Sequence, residues 1–325
     1  NLEIAWSESL AEVLRQRRQR LAAQIDFPVL LWAGRSCSRN FPANVYPFRA
    51  SSHFLYFAGL ALENAVIRLE RGKLTLFLDE GSAAAALWHG NMPKRAEIAA
   101  QIGAEEAFPL ADLKSHAEGA ATIAAQDAAT RLQQSHILNR MVAPASQAQA
   151  LDLSLAKAIV AVRMSHDRAA LVELRKSAAV SVAAHRAGMA SLARAQVEAE
   201  VRAAMEAVVI ANGMTCAYSS IVTVHGEVLH NNQYHHVIAP GDLLLADVGA
   251  ETETGWAADI TRTSPASGKF SPTQRDVYDV VLAAHDACIA KIRPGVEYRE
   301  IHLLAAQIMA EGLVSLGILK GQPDV

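Results

Sequence analysis

Two aspartates in an apolar stretch place the strongest constraint on how this chain can fold. Asp247 follows the apolar run Leu243–Ala246, and Asp259 follows Trp256–Ala258, with a short polar turn between the two segments. This pattern predicts a β-hairpin. A carboxylate removed from water is costly unless it is paired, hydrogen-bonded or bound to a metal. Because no Lys or Arg lies between them, two acids on neighbouring strands predict a site for divalent cations.

The same two aspartates also have an interpretation without a metal. Aspartate is common at hairpin turns, so one could cap the turn while the other pairs with Arg262. Four histidines within twelve residues weigh against this alternative, since a histidine can donate a hydrogen bond to a metal-bound water or a developing oxyanion. They precede the first aspartate and are His225, His230, His235 and His236. We therefore favour a metal-dependent enzyme.

The composition limits the remaining function classes. The 325 residues suffice for two domains, and 51% apolar residues support folded cores. A net charge of −3 gives no reason to expect nucleic acid or an anionic membrane as a partner. The longest apolar runs are too short to span a bilayer. The three cysteines (Cys37, Cys216 and Cys288) match no disulfide framework, so we expect a cytoplasmic protein.

The first predicted domain, residues 1–150, alternates strand and helix signals and is typical of an α/β fold. The apolar run Phe27–Ala33 predicts a buried strand, and the aromatic run His53–Gly59 predicts another. Arg71-Gly72 predicts the turn of a hairpin. A further strand is expected at Ser135–Asn139. We expect the core of this domain to contain Phe54, Tyr56, Phe57 and Trp88.

The second predicted domain, residues 151–325, has longer helices around a group of antiparallel strands, which is typical of an α+β fold. Ser165 is expected to cap a helix that runs to about Leu192. Ser271 begins a capping box that predicts another helix. The remaining elements are predicted as a helix near 195–211, strands at Ser220–Val224, Asp242–Gly249 and Trp256–Thr263, and a last helix near 297–315.

Taken together, these motifs resemble the aminopeptidase P and prolidase family, whose catalytic domain has the pita-bread fold. The resemblance covers nearly the whole chain and implies an α/β N-terminal domain followed by a pita-bread domain. The matching segments are Phe48-Arg49, Phe57-Ala58-Gly59, Leu87-Trp88-His89-Gly90, Ser219–Val222, Leu229-His230-Asn231, Asp247–Glu251, Gly255–Thr263, Gly268-Lys269-Phe270 and Arg293-Pro294-Gly295.

This resemblance implies a metallopeptidase that hydrolyses N-terminal Xaa-Pro bonds of peptides. The family site holds two divalent metal ions, commonly manganese, on two Asp, one His and two Glu. Asp247 and Asp259 match the two aspartate ligands, and His230 matches a catalytic histidine that contacts substrate. A metal-activated hydroxide would attack the carbonyl before proline. The family also implies a homo-oligomer.

Two departures from the family pattern leave alternatives open. The hairpin loop is one residue longer than the commonest family version, a difference that a β-bulge could absorb. Only two of the five ligands are found, so we expect the chain to be truncated and the other three to lie beyond Val325. A metal-free pita-bread homologue is the alternative, either as a peptide- or protein-binding module or as a creatinase-like hydrolase. Retention of both aspartates argues against it. Prolidase, restricted to dipeptides, is a close variant of the leading interpretation.

Overall fold

The computed structural model of the chain describes residues 9–321. The α-helices are α1 (Leu10–Ala22), α2 (Ser52–Ala58), α3 (Ala83–His89), α4 (Arg95–Ile102), α5 (Ala128–Ile137), α6 (Ala150–Arg163), α7 (Arg168–Leu192), α8 (Glu198–Ala211), α9 (Pro272–Lys291) and α10 (Tyr298–Ser315). The strands are β1 (Val29–Trp32), β2 (Ser38–Phe41), β3 (Asn44–Val45), β4 (Val66–Glu70), β5 (Lys73–Phe77), β6 (Glu106–Phe108), β7 (Ala121–Thr122), β8 (Thr215–Cys216), β9 (Ile221–Thr223), β10 (Leu243–Asp247), β11 (Ala250–Glu251) and β12 (Thr261–Pro265).

The chain divides into two compact units, and each combines separated stretches of sequence. The described part of the first unit runs to Ser181 and adds Val209–Ala217 and Gly249–Asp259. The second unit consists of Val182–Val208, Tyr218–Val248 and the described residues from Ile260 onward. Within residues 9–321, none of the helices combines the length and apolar character that a membrane crossing requires.

A five-stranded sheet, here called the N-terminal sheet, organises the first unit. Its strand order is β6-β5-β4-β1-β7, with β1 antiparallel to β4 and parallel to β7. This confirms the predicted strand at Phe27–Ala33. The predicted hairpin is also confirmed, because Arg71 (φ 50°) and Gly72 (φ 80°) join β4 to β5. Two consecutive residues with positive φ are what a type I′ turn requires.

The predicted strand at His53–Gly59 is wrong, because these residues form helix α2. The helix ends where Gly59 adopts a left-handed conformation (φ 70°) and donates its N–H to Leu55 O at 2.8 Å. Phe54 to Ala58 are all buried, so the segment is apolar on every side. Such a short apolar run has neither a two-residue nor a 3.6-residue period, and periodicity cannot distinguish the two structures.

The strand predicted at Ser135–Asn139 is wrong for a related reason. Ser135 to Ile137 form the last turn of α5, and Ser135 Oγ donates to Arg131 O at 3.1 Å across one helical turn. The helix begins after Asp127, whose side chain accepts from Thr130 N. The capping signal at Asp127 therefore outweighs the apolar content of the short run that follows it.

The aromatic core of the first unit is confirmed at three of its four predicted positions. Phe54 and Phe57 are fully buried, and the Tyr56 ring lies edge-on to Phe57 with centroids 5.0 Å apart. Trp88 is a wrong prediction, since it lies on α3 with 81% of its surface exposed. Helix α3 has no buried residue, so Trp88 does not belong to the core.

A three-stranded sheet, here called the C-terminal sheet, lies in the second unit with the order β12-β10-β9. Both pairings are antiparallel, as predicted. Helix α9 begins with the predicted capping box of Ser271 and Gln274. Helix α7 begins at Arg168, so the prediction of Ser165 as its cap is wrong. Asp167 takes that role and accepts from Ala170 N at 2.8 Å.

Candidate metal and catalytic site

Asp247 is held at the end of the central strand of the C-terminal sheet. Its neighbours across the strands are Ile221 on β9 and Thr261 on β12, so backbone pairing fixes it from both sides. The side chain is half-buried, and the Tyr218 hydroxyl donates a hydrogen bond to Asp247 Oδ1. Asp247 therefore presents a carboxylate whose position is defined by two strands and a phenol.

Asp259 lies two residues before β12 begins, so the prediction that it lies on this strand is wrong. The residue opposite Asp247 in the ladder is Thr261. Asp259 is exposed, which also contradicts the expectation that both carboxylates are removed from water. The residues before it are alanines, whose small side chains cannot cover a neighbouring carboxylate. The backbone beside Asp259 is fixed by a hydrogen bond in which the Ala258 N–H donates to Ala250 O at 3.0 Å.

The two aspartates fall in different units, Asp247 in the second and Asp259 in the first. Their joint action at one site remains a prediction. Carboxylate oxygens are the ligand type that Mn²⁺ and Mg²⁺ prefer, so the donor chemistry fits a divalent cation. The number of donors is incomplete: across residues 9–321, no three His, Cys, Asp or Glu side chains lie close enough together to hold a metal ion.

His230 lies in an exposed turn of the loop between β9 and β10. The next residue, Asn231, is buried and fixes this part of the loop. Its Nδ2 donates to Thr223 Oγ1 at 3.1 Å, and its Oδ1 accepts from Gln233 N at 3.0 Å. The His230 ring is therefore accessible to a peptide while the backbone beside it is anchored to β9.

The other three predicted histidines contact one another in the same unit, His225 edge-on to His236 and His235 tilted against it. The rings of His225 and His236 have centroids 4.5 Å apart, and those of His235 and His236 are 4.3 Å apart. His225 Nδ1 also lies 3.0 Å from Glu227 Oε1. A backbone hydrogen bond and this histidine lower the pKa of the exposed Glu227 carboxyl. These histidines contact one another through their rings, and among residues 9–321 they do not belong to a group that could hold a metal ion.

Two residues of the site were missed by the sequence analysis. Tyr218 donates to Asp247, and it directly precedes the recognised motif segment Ser219–Val222, so that motif could have suggested it. Glu198 is fully buried beside the loop of His230, but it is the first residue of α8. In sequence it looks like any solvated acid in the first turn of a helix, and only its burial reveals it.

Two family models match the chain. The model for the aminopeptidase P N-terminal domain matches residues 14–128. The model for metallopeptidase family M24 matches residues 172–322, which contain both aspartates and His230. The two matches follow one another in the order expected for an α/β N-terminal domain and a pita-bread domain, and they confirm the predicted fold.

Curated relatives give the same result. A probable Xaa-Pro aminopeptidase of Metarhizium robertsii is 32% identical over 294 residues, which cover 85% of this chain and 55% of the relative. Xaa-Pro aminopeptidase 2 of Streptomyces coelicolor is 30% identical over 309 residues, covering 86% of this chain and 62% of the relative. The chain thus spans little more than half the length of these relatives.

Solved structures extend the similarity to nearly all of the chain. Escherichia coli aminopeptidase P with the inhibitor Pro-Leu superposes with a TM-score of 0.81 at 26% identity, covering 97% of this chain and 76% of the other. The zinc-substituted form of that enzyme with product gives a TM-score of 0.80 at 25% identity, covering 97% and 76%. The Pseudomonas aeruginosa aminopeptidase PepP superposes with a TM-score of 0.80 at 27% identity, covering 95% of this chain and 74% of the other. With both domain models matched in order, this chain belongs to the aminopeptidase P family.

Proposed function

We propose that this protein is an Xaa-Pro aminopeptidase, a metallo-exopeptidase that releases the residue preceding a proline at the N-terminus of a peptide. The observation that carries the proposal is the retention of Asp247 and Asp259 within a segment that matches metallopeptidase family M24. A metal-free homologue has no need for two acids there. Pro-Leu as inhibitor of the Escherichia coli relative supports a proline-containing substrate.

In this proposal the two aspartates hold divalent metal ions, two in number and most simply manganese. When bound, such ions supply Lewis acidity and lower the pKa of water, which peptide hydrolysis at neutral pH requires. Asp247 would be oriented by Tyr218, whose hydroxyl occupies one of its oxygens and leaves the other for a cation. His230, exposed and anchored through Asn231, would donate a hydrogen bond to the substrate as negative charge develops on its carbonyl oxygen.

The proposal also includes a homo-oligomer in the cytoplasm. Leu87, Trp88 and Met92 are apolar side chains on or just after α3 with 83%, 81% and 63% of their surfaces exposed, and exposed apolar side chains of this kind would suit contact with a second copy. All three cysteines are free thiols, which is consistent with a reducing compartment.

The proposal is tested by Asp259→Asn in the protein at its whole natural length. Neutralising one of the two proposed aspartate ligands should lower the manganese-dependent release of the residue before proline by about a thousandfold or more. Glu253→Gln is the matched control, since Glu253 is an exposed acid in the same segment between β11 and β12. Turnover of an Xaa-Pro peptide is the measurement, made with and without a chelator.

Three results would contradict this assignment. Unchanged turnover in Asp259→Asn would reject Asp259 as a ligand. Peptide binding by the wild-type protein, without hydrolysis in the presence of manganese, would instead favour the metal-free binding module. Loss of activity in Glu253→Gln equal to that in Asp259→Asn would mean that the turn, rather than the ligand, is sensitive to the substitution.

A further inference from the structure

The base of the loop that carries His230 contains a buried carboxylate. We call residues 224–236 the His230 loop; most of its residues are exposed, and it contains no strand or helix. Glu198, the first residue of α8, lies beneath it with 0% of its surface exposed. A carboxylate so completely removed from water needs several hydrogen-bond donors.

Those donors come from the two ends of the His230 loop and from Thr223, the last residue of β9. Glu198 Oε1 accepts from Val224 N at 2.8 Å and from Thr223 Oγ1 at 3.0 Å. Glu198 Oε2 accepts from His236 Nδ1 at 2.8 Å and from His236 N at 3.4 Å. One carboxylate therefore joins the residue that begins the loop to the residue that ends it. The backbone adds a return contact, since Glu198 N donates to His236 O at 3.2 Å.

A second set of bonds connects Glu198 to the residue beside His230. The Thr223 hydroxyl donates to Glu198 and accepts from Asn231 Nδ2 at 3.1 Å and from His225 N at 2.9 Å. Because the hydroxyl proton is used by Glu198, its lone pairs are directed to these two donors. The chain of bonds from Glu198 through Thr223 and Asn231 ends one residue from His230.

We propose that Glu198 is a positioning residue for His230, acting through Thr223, Asn231 and His236 rather than by touching substrate. This inference rests on the proposed function, in which His230 contacts the substrate. Apart from Tyr234, whose hydroxyl donates to Ser220 O at 2.6 Å, most of the loop is exposed and has little packing of its own to fix its conformation. The buried carboxylate closes it at both ends and so limits the positions of the His230 ring.

The test substitutes Glu198→Gln, which keeps the size of the side chain and replaces one acceptor oxygen with an NH₂ group that faces another donor. In the protein at its natural length, kcat for an Xaa-Pro peptide should fall about 10- to 100-fold, because small misplacements of a reacting group have effects of that order. KM should change less than about threefold. Amide hydrogen exchange in residues 224–236 should become faster.

Two further variants separate positioning from general damage. Glu200→Gln changes an exposed carboxylate of the same helix, which accepts from Gln196 N at 2.8 Å, and should leave kcat and loop exchange within about twofold. His236→Asn keeps a donor near the place of Nδ1 and should retain more activity than His236→Ala. If circular dichroism shows that Glu198→Gln does not fold, the comparison of His236→Asn with His236→Ala provides the test.

The proposal is overturned if folded Glu198→Gln keeps the kcat of the wild type, whether or not exchange in the loop becomes faster. Equal effects of Glu200→Gln and Glu198→Gln, or equal activity of His236→Asn and His236→Ala, would also overturn it. If the wild-type protein does not cleave Xaa-Pro bonds, the proposed function fails, and the exchange measurement alone then decides whether Glu198 orders the His230 loop.

Discussion

The N-terminal sheet and the C-terminal sheet differ in how deeply their strands are buried. Strand β1 is buried at every position, and β5 at four of its five positions. In the C-terminal sheet the central strand β10 alternates between half-buried and buried residues, and the edge strand β12 has no buried residue. Beside β12 and α9 lies an apolar groove with a volume of about 600 Å³.

This difference separates a region built for stability from one with accessible side chains. Central strands covered on both faces contribute to the free energy of folding through apolar burial. Strands covered on one face leave alternate side chains available for chemistry, and Asp247 lies at the end of such a strand. Substitutions in the two regions should therefore have very different effects on stability.

Phe57→Ala should have the largest effect. The Phe57 side chain is fully buried and contacts Tyr56 edge-to-face. Its removal should lower the free energy of unfolding of the first unit by about 3–5 kcal/mol, the sum of lost transfer energy and the cavity left behind. Urea denaturation followed by circular dichroism measures it. A loss below about 1 kcal/mol would mean that the core of the first unit is not what stabilises it.

The stability of the first unit should depend on pH through His53, with an effect of intermediate size. Burial, and secondarily Arg163, lower the pKa of His53 from 6.5 to about 4. Its Nδ1 is buried and has no hydrogen-bond partner among residues 9–321. Because the unfolded state takes up the proton near pH 6.5 and the folded state only near pH 4, stability is complete above pH 6.5 and falls as the pH decreases.

The decrease should reach roughly 2–3 kcal/mol between pH 6.5 and pH 4. His53→Gln removes the titrating group, so the difference in unfolding free energy between the variant and the wild type should change by this amount across the window. Thermal unfolding at several pH values measures it. Parallel pH profiles for the two proteins would show that His53 titrates as in the unfolded chain.

Val281→Ala should have the smallest effect. Val281 lines the apolar groove on α9 and is 53% exposed. Removal of two methyl groups from so exposed a side chain should change the free energy of unfolding by less than about 0.5 kcal/mol. The same urea titration applies, with Phe57→Ala as the contrasting variant. A loss above about 1.5 kcal/mol would mean that this groove is covered in solution.

Local signals in the sequence were sufficient for much of the fold. The turn at Arg71-Gly72 was predictable because few residue pairs adopt two positive φ values, and the Ser271 capping box because its hydrogen bonds are local. The prediction of a strand at His53–Gly59 was wrong because an apolar run that is buried on every side shows neither helical nor strand periodicity. The prediction that Trp88 lies in the core was wrong because residue type does not show whether a helix packs against a core. Helix α3 has no buried residue.

The residues of the candidate site were predictable from the sequence, but their positions and exposure were predictable only in part. Asp247, Asp259 and His230 were found from residue type and family resemblance. The exposure of Asp259 and its place before β12 were not, because the register of a ladder depends on all pairs from Leu243 to Asp247 together. Tyr218 was missed because a hydrogen bond across 29 residues leaves no local pattern.

The sequence by itself determined the family, the order of the two domains and the acids that suit a divalent cation, because motifs and turn signals act over a few residues. Only the tertiary structure decided which carboxylate is exposed and which is buried. Glu198 and Asp259 are equally polar in sequence, yet one accepts four hydrogen bonds at 0% exposure while the other faces solvent. Burial depends on what distant segments place around a side chain, and no local pattern encodes that.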